Sequence, residues 1–306
     1  MMLQLLADGL VIGSVIALGA IGVTLAYSIL RFANFAHGEF LTWGAYLAWT
    51  ALVGIVAVAG PMEPIGPLSF GWPLVLALLA GAAGTAVLAL ALDAVLFRHL
   101  RGRGGAITLI MASFGAALVL RNLLQFAYGA VPEYYTREIQ VAIRLVPRDV
   151  LGGLRVTADQ LFVMGLTVVL VVALHLFLTR TTLGRAMRAV SQNPSLARVT
   201  GIDVDRVIRA TWIIGAVLAA VAGVFSGLTV QLRPQLGFDL LLPLFAAAIL
   251  GGIGSVYGAV AGGLIVGLAE SFSVPLVGAE YRAATAFAVL IAILLLRPTG
   301  LFGEKP

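Results

Sequence analysis

The hexapeptide at residues 34–39, Asn-Phe-Ala-His-Gly-Glu, is the group of side chains in this sequence with the most evident chemistry. It interrupts an apolar stretch that runs over residues 3–59. Polar side chains at membrane depth are costly, and they usually face the interior of a helix bundle or a water-filled path. The residues that we expect to line such a pathway are Asn34, Phe35, His37 and Glu39.

The hexapeptide has other interpretations, which the residues leave open. Gly38 and its polar neighbours could break the helix and free backbone groups to line a cavity. The segment could equally be an ordinary turn at the cytoplasmic surface, with Asn34 capping the following helix. His37 and Glu39 could also act as a proton relay, which would suit a secondary carrier.

A second candidate site is the arginine-bearing stretch at residues 181–203. Leu183, Met187 and Val190 recur at helical spacing and predict an apolar stripe, from which Arg185 and Arg188 point away. The stretch is therefore predicted to be amphipathic and to lie along the membrane surface.

Pro194 divides this stretch, and Gly201 is suited to end the second part as a helix C-cap. The result would be a pair of short helices. Such a pair could hold anionic lipid headgroups, or it could be the docking element for a soluble partner.

Single polar residues also occur inside apolar segments. Asp93 lies one turn before Arg98, Arg121 and Asn122 lie in a later segment, and Glu270 lies in another. We expect structural pairing for each of them.

The only lysine is Lys305, so the sequence cannot contain the Gly-x4-Gly-Lys-Ser/Thr loop that binds nucleotide phosphates. There is no cysteine, and His37, His99 and His175 are scattered. We therefore expect no catalytic residue, no metal site and no cofactor in this chain, and a transport role rather than an enzyme. The net charge of +5 is typical of cytoplasmic arginines in a membrane protein and does not indicate nucleic-acid binding.

These residues must be positioned by membrane helices. Of the 306 residues, 61% are hydrophobic and 11% are charged, whereas soluble domains have roughly 25% charged residues. The fold class is therefore all-α, a polytopic bundle of about eight to nine transmembrane helices in a single domain over residues 1–306. The apolar segments lie at about 3–30, 40–59, 72–97, 105–128, 159–179, 207–230, 240–250, 255–274 and 283–297.

Glycines mark two kinds of contact. Gly251, Gly252 and Gly254 predict a structural turn, around which residues 240–274 form either two helices or one re-entrant hairpin. Other glycines are spaced four apart, which favours close helix packing in lipid. These pairs are Gly9 and Gly13, Gly223 and Gly227, Gly258 and Gly262, and Gly263 and Gly267.

Arginine placement predicts the orientation, because loops rich in basic residues stay in the cytoplasm. The cytoplasmic loops would be the one that holds Arg98, Arg101 and Arg103 and the one over about 180–209. The N-terminus is then external, and the C-terminus, with Arg297 and Lys305, is cytoplasmic. The loop at about 129–158 is external and is predicted to contain a small hairpin, with residues 139–146 before Gly152 and residues 154–157 after it.

The sequence resembles the permease subunits of branched-chain amino acid ABC importers. The stretches that carry the resemblance are residues 34–39, 183–189 (Leu-Gly-Arg-Ala-Met-Arg-Ala), 197–207, 250–255 (Leu-Gly-Gly-Ile-Gly-Ser) with Gly258 and Ala259, and Pro298-Thr299-Gly300. They occur in the same order along essentially the whole chain.

The resemblance implies a division of labour. A second homologous permease would pair with this one in the bacterial cytoplasmic membrane, two ATPases would bind ATP underneath, and an extracytoplasmic binding protein would deliver substrate. The implied coupling residues are Gly184, Arg185, Arg188, Ser195, Ala197 and Gly201. Ser195 stands where such permeases often have Glu, so a Glu-mediated contact is not expected there.

The substrate remains open at this point. Permeases of this type transport branched-chain or other amino acids, urea or short amides. A proton-coupled secondary carrier and a passive channel for a small neutral solute are the alternatives from other classes.

Overall fold

The structure is a computed structural model that describes residues 2–101, 104–136, 140–147, 153–297 and 299–302. Five residues used above, Arg103, Ile139, Gly152, Pro298 and Lys305, lie outside these ranges. The described residues form an all-α bundle with one small hairpin, so the expected fold class is confirmed.

Eleven helices are described, and eight of their segments are long and apolar enough to cross a membrane. A π-helical turn at Asp93–Phe97 and a last turn at Arg98–Leu100 continue α3. The helices are α1 (Met2–Leu30), α2 (His37–Ala59), α3 (Trp72–Leu92), α4 (Ala106–Tyr128), α5 (Ala158–Arg180), α6 (Thr182–Gln192), α7 (Pro194–Val199), α8 (Val204–Thr229), α9 (Leu236–Gly251), α10 (Val256–Val277) and α11 (Arg282–Leu296).

Helix α1 lies at the centre of the bundle. Of its most apolar 18 residues, 89% are buried inside the protein, compared with 6% for the segment that contains α11. A helix that is apolar on every side and free of charge at its centre can be surrounded by other helices without leaving a buried charge unpaired. α1 is therefore the core element, and α11 lies at the periphery.

Glycines bring α1 and α10 into backbone contact along what we call the α1–α10 seam, formed by Gly9, Gly13 and Ala17 on α1 and Gly263 and Gly267 on α10. A Cβ added to Gly263 would lie 2.5 Å from the Cα of Ala17. One added to Gly13 would lie 2.9 Å from the Cα of Leu264 on α10. The prediction that the spaced glycines serve close packing is confirmed here.

Helices α9 and α10 are two separate helices joined by a tight glycine turn, which decides between the alternatives for residues 240–274. Gly252 and Gly254 both have φ of +100°, a backbone conformation that favours glycine. Gly251 packs against the backbone of Gly258 on the opposite helix. The predicted structural turn is therefore present.

Helix α9 has 16 residues, or roughly 24 Å at about 1.5 Å per residue, which is short for a crossing. The stretch before it begins at Leu232, whose backbone exchanges two hydrogen bonds with Glu133. In the last turn of α9, the carbonyl of Leu250 accepts from the N–H of Leu301 near the C-terminus. Together with residues 231–235, α9 thus provides a ninth traverse of the described bundle.

The predicted hairpin is present as β1 (Ile143–Val146) and β2 (Leu154–Val156), paired antiparallel with Ile143 opposite Val156. The Arg155 backbone N–H donates to the side-chain oxygen of Gln4 at 3.1 Å, so the hairpin lies at the same end of the bundle as the start of α1. At the opposite end, Gly254 approaches Ser28. The first and last described residues therefore lie at opposite ends of the bundle.

Candidate functional site

The chain re-enters the bundle between α1 and α2. After α1 ends at Leu30, the non-helical residues 31–36 run back beside it, and α2 begins at His37. The His37 Nε2 lies 3.1 Å from the carbonyl oxygen of Gly19, the eighteenth of the 29 residues of α1. α2 therefore starts near the middle of the bundle, and the interpretation of the hexapeptide as a surface turn is wrong.

The expected capping role of Asn34 is also wrong. The N-cap position of α2 is Ala36, which makes no side-chain capping bond. The Asn34 Oδ1 instead accepts from the Ala36 N–H at 3.1 Å, which closes a local Asx turn. Gly38 does not break a helix either, because it lies inside α2 against the carbonyl of Gly237 on α9, 2.5 Å from where its Cβ would be.

Glu39 forms an ion pair with Arg121 of α4. Its Oε1 accepts from the Arg121 Nε at 3.1 Å and Nη2 at 2.9 Å, and the Glu39 side chain is 2% exposed. The Glu39 Oε2 is buried and has no hydrogen-bond partner among the described residues. Arg121 thus balances the charge of Glu39, as expected for structural pairing, while one carboxylate oxygen stays unsatisfied.

His37 and Glu39 do not form a relay in this arrangement. They are two residues apart on a helix, so they point to different sides. His37 bonds to α1 and Glu39 to α4. The geometry therefore gives the proton-relay interpretation no support.

Aromatic side chains join the re-entrant segment to α4 and α9. The ring of Phe35 lies 6.1 Å from Phe114 of α4 and 5.3 Å from Phe245 of α9, measured between centroids. The Arg121 guanidinium carbon lies 4.0 Å from the centroid of Phe238, also on α9. Leu242, one turn further along α9, is 41% exposed.

We call this surface the α4–α9 face. It consists of Phe35, Phe114, Arg121, Phe238, Leu242 and Phe245. Of these residues, only Phe35 was predicted as a pathway residue. Phe238, Leu242 and Phe245 recur at helical spacing, which was a signal in the sequence, but an apolar stripe at that spacing looks the same whether it faces lipid, protein or a path.

A column of rings supports the inner side of the re-entrant segment. Phe32 lies 5.3 Å from Phe97, which stacks on Trp212 at 5.2 Å with an interplanar angle of 17°. Phe97 ends the π-helical turn that starts at Asp93. Asp93 is paired as expected, but with Arg101 rather than with its nearer neighbour Arg98.

The pair of short helices predicted at residues 181–203 is present as α6 and α7. Met187 and Val190 are 2% and 1% exposed, whereas Arg185 and Arg188 are exposed. Gly184 packs against the last turn of α5, with no room for a side chain. The predicted amphipathic stripe is therefore confirmed.

Gly201 ends α7 with a φ of +86°. Its N–H donates to the carbonyl of Arg198 at 3.1 Å, and the next N–H, from Ile202, donates to that of Ala197 at 3.0 Å. The predicted C-cap is thus present. Ala197 is 4% exposed and anchors the helix.

Sequence reasoning missed the apolar surface of α7. Leu196 and Val199 are 60% and 85% exposed, beside the exposed Ser195. Apolar residues within an arginine-rich loop were the signal that could have identified them.

Arg31 connects α6 to the re-entrant segment. Its guanidinium donates to the carbonyl of Ser191, in the last turn of α6. Its φ of +60° makes it the one non-glycine residue with positive φ among the described ranges, a conformation that L-residues adopt at a cost. Residues 31–36 are therefore held to α6 at one end and continue into α2 at the other.

The chain matches, over residues 5–295, the family model for the permease component of branched-chain amino acid transport systems. It belongs to that family. The high-affinity branched-chain amino acid permease protein BraD of Pseudomonas aeruginosa is 35% identical over 308 residues, covering 99% of this chain and 96% of BraD. LivH of Escherichia coli is 35% identical over 312 residues, with the same two coverages.

The similarity extends beyond these bacteria. A probable branched-chain amino acid permease protein LivH of Methanocaldococcus jannaschii is 28% identical over 309 residues, covering 98% of this chain and 92% of the relative. The resemblance found in the sequence motifs is thereby confirmed. Membership makes this chain a transport permease rather than an enzyme, and one that works with other components of an ABC transporter.

Two polar residues of the permease lie apart from these contacts. Asn122 donates to the carbonyl of Leu118, four residues before it, at 2.7 Å. Glu270 is 5% exposed, and its Oε1 has no hydrogen-bond partner among the described residues. The expected structural pairing thus fails for this oxygen of Glu270.

Proposed function

We propose that this permease and a second homologous permease together form the path of an ABC importer for branched-chain or related amino acids. Two ATPase subunits bind ATP and dock on α6 and α7, and an extracytoplasmic binding protein delivers the substrate. The whole chain, residues 1–306, acts as one permease domain. The near full-length similarity to BraD and LivH, whose names give them this activity, supports the proposal.

One structural observation carries the coupling mechanism. Arg31 ties the last turn of α6 to residues 31–36, and these lead to Phe35 and His37 near the middle of the bundle. A movement of α6 and α7 would therefore reach the α4–α9 face through one short, non-helical segment. Leu196 and Val199 offer the ATPases an apolar contact.

The proposed orientation follows the arginines. The end that carries α6, α7 and the exposed Arg185 and Arg188 faces the cytoplasm. The end that carries the β1–β2 hairpin faces outward and receives the binding protein, and the membrane is the bacterial cytoplasmic membrane.

Tyr135 stabilises this outer end, because its hydroxyl donates to the carbonyl of Ala45 at 2.8 Å. Burial raises the pKa of the Tyr135 phenol well above its usual value, so the donor stays protonated at neutral pH.

In the proposed cycle, ATP binding closes the ATPase pair and moves α6 and α7. The α4–α9 face then alternates between access from the inside and access from the outside. Only contacts that differ between the two states can convert one into the other. The segment that joins α6 to the α4–α9 face is held in place by Asn34, Phe35, His37 and Glu39.

Reconstitution tests this function. The permease is placed in proteoliposomes with a candidate second permease, candidate ATPases and a candidate binding protein, and uptake of L-leucine, L-isoleucine and L-valine is measured. We expect uptake that requires ATP and the binding protein and that survives collapse of the proton gradient. Uptake that is lost with the gradient would indicate a secondary carrier, and uptake without ATP a channel. Uptake of urea or acetamide instead of amino acids would show that the substrates are urea or short amides.

Substitution of Gly201 tests the coupling role. Gly201→Val places a β-branched residue at a φ of +86°, at a cost of about 1–3 kcal/mol in local strain. We expect leucine uptake to fall at least about tenfold while ATP hydrolysis continues. Gly201→Asn is the matched control, because Asn tolerates this conformation, and it should retain uptake. Normal uptake by correctly inserted Gly201→Val would contradict the role.

A further inference from the structure

We propose that Arg121 and Asp239 bind the head group of a zwitterionic α-amino acid on the α4–α9 face. Arg121 would hold the substrate carboxylate, Asp239 would hold the ammonium group, and the apolar side chain would lie on Phe114 and Leu242. The inference rests on the proposed function and identifies where the path contacts its substrate.

Arg121 has donors to spare. Glu39 uses its Nε and one N–H of Nη2, and Nη1 has no hydrogen-bond partner among the described residues. The side chain is 17% exposed, compared with 2% for Glu39. Glu39 therefore occupies the edge of the guanidinium formed by Nε and Nη2. The ring of Phe238 packs against the guanidinium plane, 4.0 Å from the guanidinium carbon. The open edge can receive a carboxylate through two parallel N–H bonds.

Asp239 supplies the opposite charge beside it. It follows Phe238 directly, lies in the first turn of α9, and is exposed. Its carboxylate lies within electrostatic reach of both Arg121 and Arg233. It forms an ion pair with neither, because the two ion pairs of the described residues are Asp93–Arg101 and Glu39–Arg121. Asp239 is therefore available to accept hydrogen bonds from an ammonium group.

The charge balance selects the ligand class. Arg121, Glu39, Asp239 and Arg233 together are neutral, so a bound cation or anion would leave one charge uncompensated beside the buried Glu39 and the largely buried Arg121. A zwitterion leaves no charge uncompensated, because its carboxylate would pair with Arg121 and its ammonium group with Asp239. The apolar part of the face, with Phe114 47% and Leu242 41% exposed, suits a branched aliphatic side chain.

The absence of cysteine makes the test direct. Leu242→Cys would be the single thiol of the permease, and its reaction rate with a membrane-impermeant charged thiol reagent reports access to the face in the reconstituted complex. Val169→Cys, 59% exposed in the middle of α5, is the control for a lipid-facing position, and Val141→Cys, 79% exposed beside the hairpin, is the control for an aqueous one. We expect Leu242→Cys and Val141→Cys to react, and Val169→Cys to stay unlabelled.

L-leucine at millimolar concentration should slow labelling of Leu242→Cys at least about fivefold. Leucinamide lacks the carboxylate, and 4-methylpentanoate lacks the ammonium group. Each should therefore need an at least about tenfold higher concentration than L-leucine to slow labelling to the same extent. Asp239→Asn in the same background should abolish protection by leucine, and Asp239→Glu should restore part of it. Arg144→Gln, which removes a charge in β1 that takes no part in this charge balance, should keep it.

Protection by either analogue as strong as that by L-leucine, or full protection by L-leucine in Asp239→Asn, would overturn the head-group site. So would a failure of Leu242→Cys to react where Val141→Cys reacts. ATP-driven leucine uptake by the permease without substitutions is measured in parallel. Uptake with any of these contrary results rejects the subsite alone, whereas absent uptake rejects the proposed function.

Discussion

Helices meet in two different ways in this permease, along the α1–α10 seam and at the α4–α9 face. At the seam, glycine brings backbone against backbone, and a Cβ on Gly263 would lie 2.5 Å from the Cα of Ala17. At the face, α4 is joined to α2 and α9 by long side chains, those of Glu39, Arg121 and Phe238. Backbone contacts have a single arrangement, whereas side-chain contacts can be remade in another rotamer. The seam is suited to be the fixed part of the transporter and the face to be the moving part.

The largest effect is expected at the seam. Gly263→Val would force α1 and α10 apart, and overpacking of this kind costs about 1–3 kcal/mol or more. We expect loss of the folded permease, measured as the recovery of monodisperse protein after detergent extraction. Gly165→Val in α5 is the matched control, because no atom lies within 4 Å of the added Cβ. Normal recovery of Gly263→Val would mean that the seam is not rigid.

Removal of one charge at the face should have the next largest effect. Glu39→Gln leaves Arg121 without its ion-pair partner. Breaking a buried pair costs about 3–5 kcal/mol, and the partial exposure of Arg121 reduces our expectation to about 2 kcal/mol. Thermal unfolding measures the change.

The double variant Glu39→Gln/Arg121→Gln provides the control for this prediction. It removes both charges, so it should be more stable than Glu39→Gln alone. Its leucine uptake should nevertheless be low, because Arg121, the proposed donor to the substrate carboxylate, is lost. Equal stability of the single and double variants would show that the two charges do not interact.

Phe35→Ala should separate stability from transport. Each ring pair contributes about 0.5–1.5 kcal/mol, and Phe35 makes two of them, so we expect a loss of about 1–2 kcal/mol in unfolding and a severalfold loss of uptake. Phe126→Ala, 90% exposed on the same helix as Phe114, is the control and should change neither. An unaltered rate of leucine uptake by Phe35→Ala would remove Phe35 from the path.

The smallest effect is expected for Tyr135→Phe at the outer end. It deletes the hydrogen bond to the carbonyl of Ala45, which is worth about 1 kcal/mol. Because burial raises the pKa of Tyr135, the native hydroxyl stabilises the protein below its unfolded pKa and loses that contribution as the pH rises through the folded pKa. The difference between native and Tyr135→Phe in thermal unfolding should therefore be constant between pH 6 and pH 8. A difference that changes across this range would contradict the assignment.

The sequence by itself determined the features that depend on neighbours along the chain. The apolar segments, the stripe of Met187 and Val190, the C-cap at Gly201 and the turn at Gly252 all follow from local periodicity or backbone preference, and each is present. The order of the motifs along the chain was sufficient to predict the family.

Only the tertiary structure decided where the hexapeptide at residues 34–39 lies and what it contacts. Glu39 and Arg121 are 82 residues apart, and Arg31 and Ser191 are 160 apart, so no local pattern links them. Helical periodicity also cannot show that α2 begins beside Gly19 rather than at the membrane surface. The depth of α2 is set by the contacts of Gly38 with α9 and of His37 with α1, which exist only once the helices have packed.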